Sequence, residues 1–547
     1  MAIVRSQCGQ CAMGCGLRVL TDKSRQLRIE GDATHPANGG LLCARAIELE
    51  DSAGLEGRLS HPVMEGRRQG WDRVIAQIAR RLTAILKRHG PGSIALHVGG
   101  RLLTEDYYVA NKLMKGFFGS AHIHAPWLGD TARLQRAAFG EDVMPAAFED
   151  IDRAGAILLV GGAIGRDHPV LMDRVQAARS NGARLIHLAS PGEADAIEAD
   201  LHLPVAPGGM GRLLGGLLLH CHDMGLVDSL WLKRHVAVPM GYWDGLRQGH
   251  DVWSVARACG LPPGSIRAFY ETWAVDAQAV TLAGGGKAAA VLNLHLATGR
   301  IGRPGAAPFL IGGGANGMGA REVGCMADSL AAHMGFDAEA LARTGRFWGA
   351  RRMAMAPGLD GAGLLEAMRD GRIKALWSIG ADEEATPWLR EARALVPLSI
   401  RATDRLESDG AGWTCLLPSA AWIEKDGTLT GMDRLVSRQR RLRDLPGEAR
   451  PDWWMLTRVA QAMGWGDAFH YEWAADIYRE HVRLTAYQND GARLLNLKRH
   501  APISNPAYAE LTPWRWGEVP FDEGRFPMPD GRARLLPVAN QPDAAMF

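Results

Sequence analysis

Apolar residues at Trp71, Val74, Ile75, Ile78, Leu82, Ile85 and Leu86 recur at the spacing of one helical face, and Gly90-Pro91 closes the run. The period then changes. Ser93–Val98 is a short apolar-rich run that stops at Gly99-Gly100, as a strand buried on both faces would. Comparable runs stand at Ala156–Val160, Leu185–Leu188, Val280–Ala283, Ala375–Ile379 and Val396–Ile400. Most end in glycine or polar residues, and amphipathic segments separate them. This alternation predicts βα units and two doubly wound α/β domains, with ligands in loops at the carboxyl ends of the strands. No internal repeat or low-complexity tract interrupts the pattern.

Composition narrows the class. A chain of 547 residues is long enough for several domains, and its 47% hydrophobic and 22% charged content is that of a soluble globular protein. A net charge of +2 without a long basic run argues against a nucleic-acid binder. No apolar stretch reaches the length of a membrane span; Leu213–Leu219 is interrupted by glycines. Cys221, Cys259, Cys325 and Cys415 are scattered, which suits a reducing compartment better than a disulfide framework. A cysteine motif that begins at residue 8 leaves no room before it for a secretory signal, so the expected location is the cytoplasm.

That motif is the main chemical signal. Cys8, Cys11 and Cys15 lie within eight residues, and Cys43 follows after 27 intervening residues. Thiolates are soft ligands that favour zinc or an iron–sulfur cluster. Structural zinc usually takes two tight pairs of cysteines. A short loop wrapping three corners of a cubane, closed by a distant fourth ligand, suits a [4Fe-4S] cluster better than zinc or plain buried thiols.

The segment Gly31-Asp-Ala-Thr-His-Pro-Ala-Asn-Gly-Gly-Leu-Leu-Cys43 resembles the N-terminal cluster domain of the molybdopterin oxidoreductases, most of all the bacterial assimilatory nitrate reductases. Lys112–Ser120, Gly140–Pro145, Asn293–Gly305, Gly317–Gly324, Trp422–Thr428, Gly447–Trp453 and Tyr508–Pro513 continue the resemblance in family order. It implies an α/β fold with an iron–sulfur domain at 1–57, a discontinuous α/β domain at 58–135 plus 331–547, and an inserted α/β domain at 136–330. It also implies Mo-bis(molybdopterin guanine dinucleotide) as a second cofactor and reduction of nitrate to nitrite. The electron donor would be a ferredoxin, a flavodoxin or an NADH-linked reductase; no membrane or nucleic-acid partner is expected.

Individual residues carry over from the same resemblance. Arg45 stands where the family places a lysine between cluster and pterin. Met318 and Arg321 match its substrate-funnel residues, and a guanidinium fork suits a planar oxyanion. The alternative for Arg321 is an ion pair with Glu322 or a surface neighbour. His168 matches a loop beside the cofactor, with a satisfied structural histidine as the alternative. Gly161, Gly284 and Gly317 fall in cofactor loops. Glu424 takes a structural or pterin role, or forms a solvated turn pair with Lys425.

The departures lie around the pterin. The family's metal-ligating cysteine should fall between Gly119 and Gly140, where this chain has none. Counting forward from Gly119 puts Asp130 in its place; counting back from Gly140 puts Trp127 there. Asp130 would ligate molybdenum through oxygen or cap the helix beginning Thr131-Ala132-Arg133. Gly284-Gly285-Gly286-Lys287, Ala189–Gly192, Gly380–Asp382 and Thr430–Arg434 each replace a more polar family motif. Together they remove groups that would meet a charged ligand, leaving backbone N–H groups of the glycine loops. The family also adds a C-terminal barrel-like domain over the pterins; the resemblance implies that here it is missing or belongs to another polypeptide. Two functions follow: a nitrate reductase-like enzyme, or a [4Fe-4S] electron-transfer or scaffold subunit that has lost the pterin site. A zinc-stabilised interaction protein requires the cysteine spacing to mislead. Formate oxidation fits less well than nitrate, because Gly317–Gly324 resembles the nitrate branch.

Overall fold

The computed structural model describes residues 2–21, 27–50, 54–192, 197–381, 386–406 and 412–537. The chain opens with an antiparallel three-stranded sheet of Ala2–Gln7, Gly16–Thr21 and Leu27–Gly31. Two larger sheets follow. One is wholly parallel, in the order Leu201–Pro204, Arg184–Ala189, Ala156–Val160, Ala279–Gly284, Ala307–Ile311. The other has five parallel strands in the order Cys415–Pro418, Leu398–Thr403, Ala375–Ile379, Ile94–Val98, Ile123–His124. Val63–Met64 and Arg67–Arg68 extend it as an antiparallel margin.

Both parallel sheets reverse their winding once. The reversal falls between Ala156–Val160 and Ala279–Gly284 in the first sheet, and between Ile94–Val98 and Ala375–Ile379 in the second. Such points open a crevice beyond the carboxyl ends of the two strands, because the connections there leave in opposite directions. Glycines stand at all four strand ends: Gly161 and Gly284 in the first sheet, Gly99 and Gly380 in the second.

The apolar patterning has direct structural causes. Ile94–Val98, Ala156–Val160 and Ala375–Ile379 are buried along their whole length, which is why their sequences do not alternate. Helix Trp71–His89 buries Trp71, Val74, Ile75, Ile78, Leu82 and Leu86 in the core over the second sheet, and Gly90 ends it at φ +82°. Truncating Leu82 to alanine in that core should cost about 2–5 kcal/mol. The strand expected at Val396–Ile400 begins instead at Leu398 and runs to Thr403. Val396 ends the helix Pro387–Leu395, and Pro397 has no N–H to offer a ladder. Ala307–Ile311 escapes the sequence pattern because it contains Pro308, which the sheet tolerates in a strand at its edge.

Candidate cofactor centre

The strands Ala2–Gln7 and Gly16–Thr21 pair in register up to Gln7 opposite Gly16, so Cys8–Cys15 is the hairpin loop between them. The Cys8 N–H donates to the Cys15 carbonyl at 2.9 Å and closes it. Neighbouring side chains occupy the space of any larger residue: a Cβ at Gly9 would collide with the Trp422 ring, and one at Gly16 with His35. Cys43 arrives on the 31–43 segment, which Asn38 ties to the hairpin. Its amide accepts from Gly16 N–H at 2.9 Å and donates to the carbonyls of Gly16 and Leu41 at 3.1 and 2.8 Å. Asp32 accepts from the N–H and hydroxyl of Thr34 and pairs with Arg5. Asn38 belongs to the motif that carried the family resemblance, yet no local pattern marks it for this role.

None of the eight cysteines forms a disulfide; Cys8 and Cys15 are buried, and Cys11 and Cys43 are half-buried. Burial pushes the Cys8 thiol up to about 12 and raises Cys11 and Cys15 as well. The other three thiols of the set add to the rise at Cys15, which places all four together. Four thiolates gathered here therefore need a cation to hold them. Among the described residues, no three His, Cys, Asp or Glu side chains close around a single ion. Zinc, with Zn–S bonds of about 2.3 Å, would draw its sulfurs to within about 4 Å of one another. A cubane binds each sulfur to a different iron, and three ligands from one hairpin with a fourth from a separate segment suit a [4Fe-4S] cluster.

Arg45 leads from this loop to the first parallel sheet. Its charge opposes the rise of the Cys8 and Cys11 pKa values, and its guanidinium donates to the Asp167 carbonyl. The next residue, His168, is buried with an unpartnered Nδ1, and burial lowers its ring to about 4. This disagrees with a fully satisfied structural histidine. Beyond that loop the glycine crest is open. A Cβ at Gly161, Gly284, Gly286 or Gly312 would meet nothing within 4 Å. The crest therefore fits the backbone-lined cradle that a phosphorylated pterin needs.

The expected metal and substrate residues are placed differently. Asp130 stands at the N-cap position but makes no capping bond, because its φ −87° and ψ −3° are helical rather than extended. Its exposed carboxylate pairs with Arg133 at 3.2 Å. Trp127 points inward instead. Its Nε1 donates to the Val98 carbonyl at 2.7 Å, and its ring lies 3.3 Å from a Cβ built at Gly100 and 3.5 Å from one at Gly317. An indole offers a donor and no metal-binding lone pair, so this position does not fit a protein ligand to molybdenum.

Arg321 is buried, but Glu322 is not its partner. It pairs with Asp142 at 2.9 Å, and it also donates to Gln135 Oε1 at 3.3 Å and lies against buried Met318. A guanidinium already neutralised in this way is not a free fork for nitrate. The pair Glu424-Lys425 is not a solvated turn either. Glu424 accepts two bonds from Arg58, at 2.9 and 2.7 Å, and one from Ala421 N–H, which engages both oxygens and leaves neither for a pterin. Lys425 lies between Asp452 at 2.7 Å and Asp106 at 3.6 Å. The Thr430–Arg434 loop is internal: Thr430 N–H donates to Asn316, Met432 N–H to the Ala12 carbonyl, and Arg434 to the carbonyls of Met144 and Ala146. It braces the cysteine hairpin against the segment that carries Gly317 and Met318. Asp382, at the end of the Gly380–Asp382 motif, lies outside the described residues.

Comparison with known proteins decides the family. A family model described as the molybdopterin oxidoreductase Fe4S4 domain matches residues 1–52, and one described as molybdopterin oxidoreductase matches residues 58–462. The chain belongs to the molybdopterin oxidoreductase family. Membership supports a 4Fe-4S cluster and a molybdopterin as its cofactors. A nitrate reductase of Klebsiella oxytoca is 37% identical over 568 residues, covering 100% of this chain and 65% of that protein. A nitrate reductase of Shewanella frigidimarina is 33% identical over 94% of this chain and 58% of its own length. This family member thus spans less than two thirds of either relative. The acetylene hydratase structure from Pelobacter acetylenicus superposes with a TM-score of 0.74 at 17% identity, covering 97% of this chain and 77% of that one, a likeness of fold alone.

Proposed function

We propose that this chain is a nitrate reductase-like oxidoreductase in which a [4Fe-4S] cluster on Cys8, Cys11, Cys15 and Cys43 passes electrons past Arg45 toward a pterin on the Gly161–Gly284 crest. The observation that carries this reading is the Arg45 bond to Asp167, which joins the turn after Cys43 to the segment that follows Gly161. When bound, the molybdenum–pterin group supplies the oxygen-atom transfer: nitrate, two electrons and two protons give nitrite and water. The chain's own residues hold three thiols in the Cys8–Cys15 hairpin and the fourth on the 31–43 segment, and set a cation beside them. Partners consistent with this role are a ferredoxin, a flavodoxin or an NADH-linked reductase in the cytoplasm. Among the described residues, no helix is long and apolar enough to cross a membrane.

A second reading, an electron-transfer or scaffold subunit without pterin chemistry, is favoured by Trp127 at the metal-ligand position and by the Arg321–Asp142 pair. Nitrite formation from nitrate with a reduced dye separates the two, using anaerobic protein of measured iron, molybdenum and pterin content. The enzyme reading expects nitrite from the wild type and a large loss in Arg45→Ala at unchanged iron content. A reducible cluster with no nitrite formed would establish the second reading instead.

A further inference from the structure

The two doubly wound sheets present two switch-point crevices, and the structure treats them oppositely. In the first sheet, Gly161 and Gly284 end the strands on either side of the reversal, with Gly286 and Gly312 alongside. A Cβ at any of the four meets nothing within 4 Å. In the second sheet, the described residues at the equivalent crevice pack closely over it. The Trp127 indole is anchored on the carbonyl of Val98, the last residue of one flanking strand. Its ring stacks obliquely on Tyr107 at 5.9 Å and covers Gly100, which also lies 3.0 Å, measured from a built Cβ, from the Gly314 backbone. Across the reversal, a Cβ at Gly380 would lie 2.8 Å from Leu102. The Tyr107 hydroxyl donates to the Gly99 carbonyl at 2.6 Å, so that acceptor is used as well.

We propose that this chain seats one pterin nucleotide, on the crevice between Ala156–Val160 and Ala279–Gly284, and that Trp127 and Leu102 close the second crevice to another. A nucleotide's phosphates approach the backbone closely and need the space that only side-chain-free positions leave. The first crevice has that space at four glycines. The second has lost it to an indole, a leucine and a backbone contact among the described residues. Trp127 cannot swing away without leaving the Val98 carbonyl unpaired, which opposes opening. The inference rests on family membership and on the pterin of the proposed function, and it does not require nitrate to be the substrate.

The test counts pterin against bound molybdenum in anaerobically purified protein, a ratio that incomplete loading does not change. Released pterin is oxidised to its fluorescent form and compared with metal by elemental analysis. About one pterin per molybdenum is expected. Gly284→Val should abolish the pterin at unchanged iron, because Gly284 has φ −78° and open space around it, so valine fits the backbone while filling the crest. Two pterins per molybdenum would overturn the inference and leave the proposed nitrate chemistry standing. No pterin in the wild type would overturn both. Full pterin in Gly284→Val would show that the crevice has been misassigned.

Discussion

The Arg321–Asp142 pair gives the sharpest quantitative prediction. The two side chains are 7% and 1% exposed and 2.9 Å apart. Removing one partner of a buried pair strands the other charge, at a cost of about 3–5 kcal/mol. Arg321 Nε has no hydrogen-bond partner, and neither Asp142 oxygen has one outside the ion contact, so the lower end of that range is expected. Arg321→Ala and Asp142→Ala should therefore each destabilise the region by about 3 kcal/mol. The pair Arg321→Met with Asp142→Leu should recover most of the loss, because no charge is then left buried. Several hydrophobic cores make a single unfolding transition a poor measure. Hydrogen exchange at the amides of helix Gly317–Val323 and of residues 140–145 reads the local cost directly. If Arg321→Ala left those amides protected and only raised the nitrate KM, the guanidinium would be a substrate ligand and the structural reading would fail.

Cys43→Ser should lose most of the iron, about four atoms per chain in the wild type, and loosen the 31–43 segment; iron retained in full would remove Cys43 from the ligand set. Burial lowers the rings of His97, His295 and His481 to about 3 and that of His168 to about 4. Unfolded rings bind protons below about 6.5, so this contribution is complete above that pH and is lost as pH falls toward the folded values of about 3 to 4; hydrogen exchange around these rings at stepped pH, corrected for intrinsic exchange rates, checks it, and constant local stability from pH 7 to 4 would contradict it. Trp127→Cys places a thiol where the indole stands, and X-ray absorption of the loaded protein should gain one sulfur around molybdenum. An unchanged spectrum would show that this position does not face the metal.

The strands and the long helix were legible because they are buried on both faces or along one stripe, and such burial writes itself as continuous or helically periodic apolar sequence. Ala156–Val160 and Ala375–Ile379 match in full for that reason. The edge strand with Pro308 and the start at Leu398 were not, since a proline changes meaning with its place in a sheet. The four cysteines stood out because three ligands must share one short loop. Asp142 and Arg58 did not, because an ion partner far along the chain leaves no local pattern; only the fold brings Arg321 to Asp142 and Arg58 to Glu424. Trp127 was one of two outcomes of counting across a shortened loop, and its direction depended on a carbonyl at the end of a distant strand.

The central claim is that electrons leave the four-cysteine cluster past Arg45 to reduce nitrate. Stopped-flow reoxidation of the reduced cluster by nitrate tests it directly, with the visible absorbance of the cluster followed under anaerobic conditions and nitrite measured at the end point. The account predicts that nitrate restores the oxidised spectrum, with one nitrite for every two electrons consumed, and that Arg45→Ala slows this reoxidation at unchanged iron content. A cluster that stays reduced in excess nitrate, in protein shown to hold molybdenum and pterin, would contradict it.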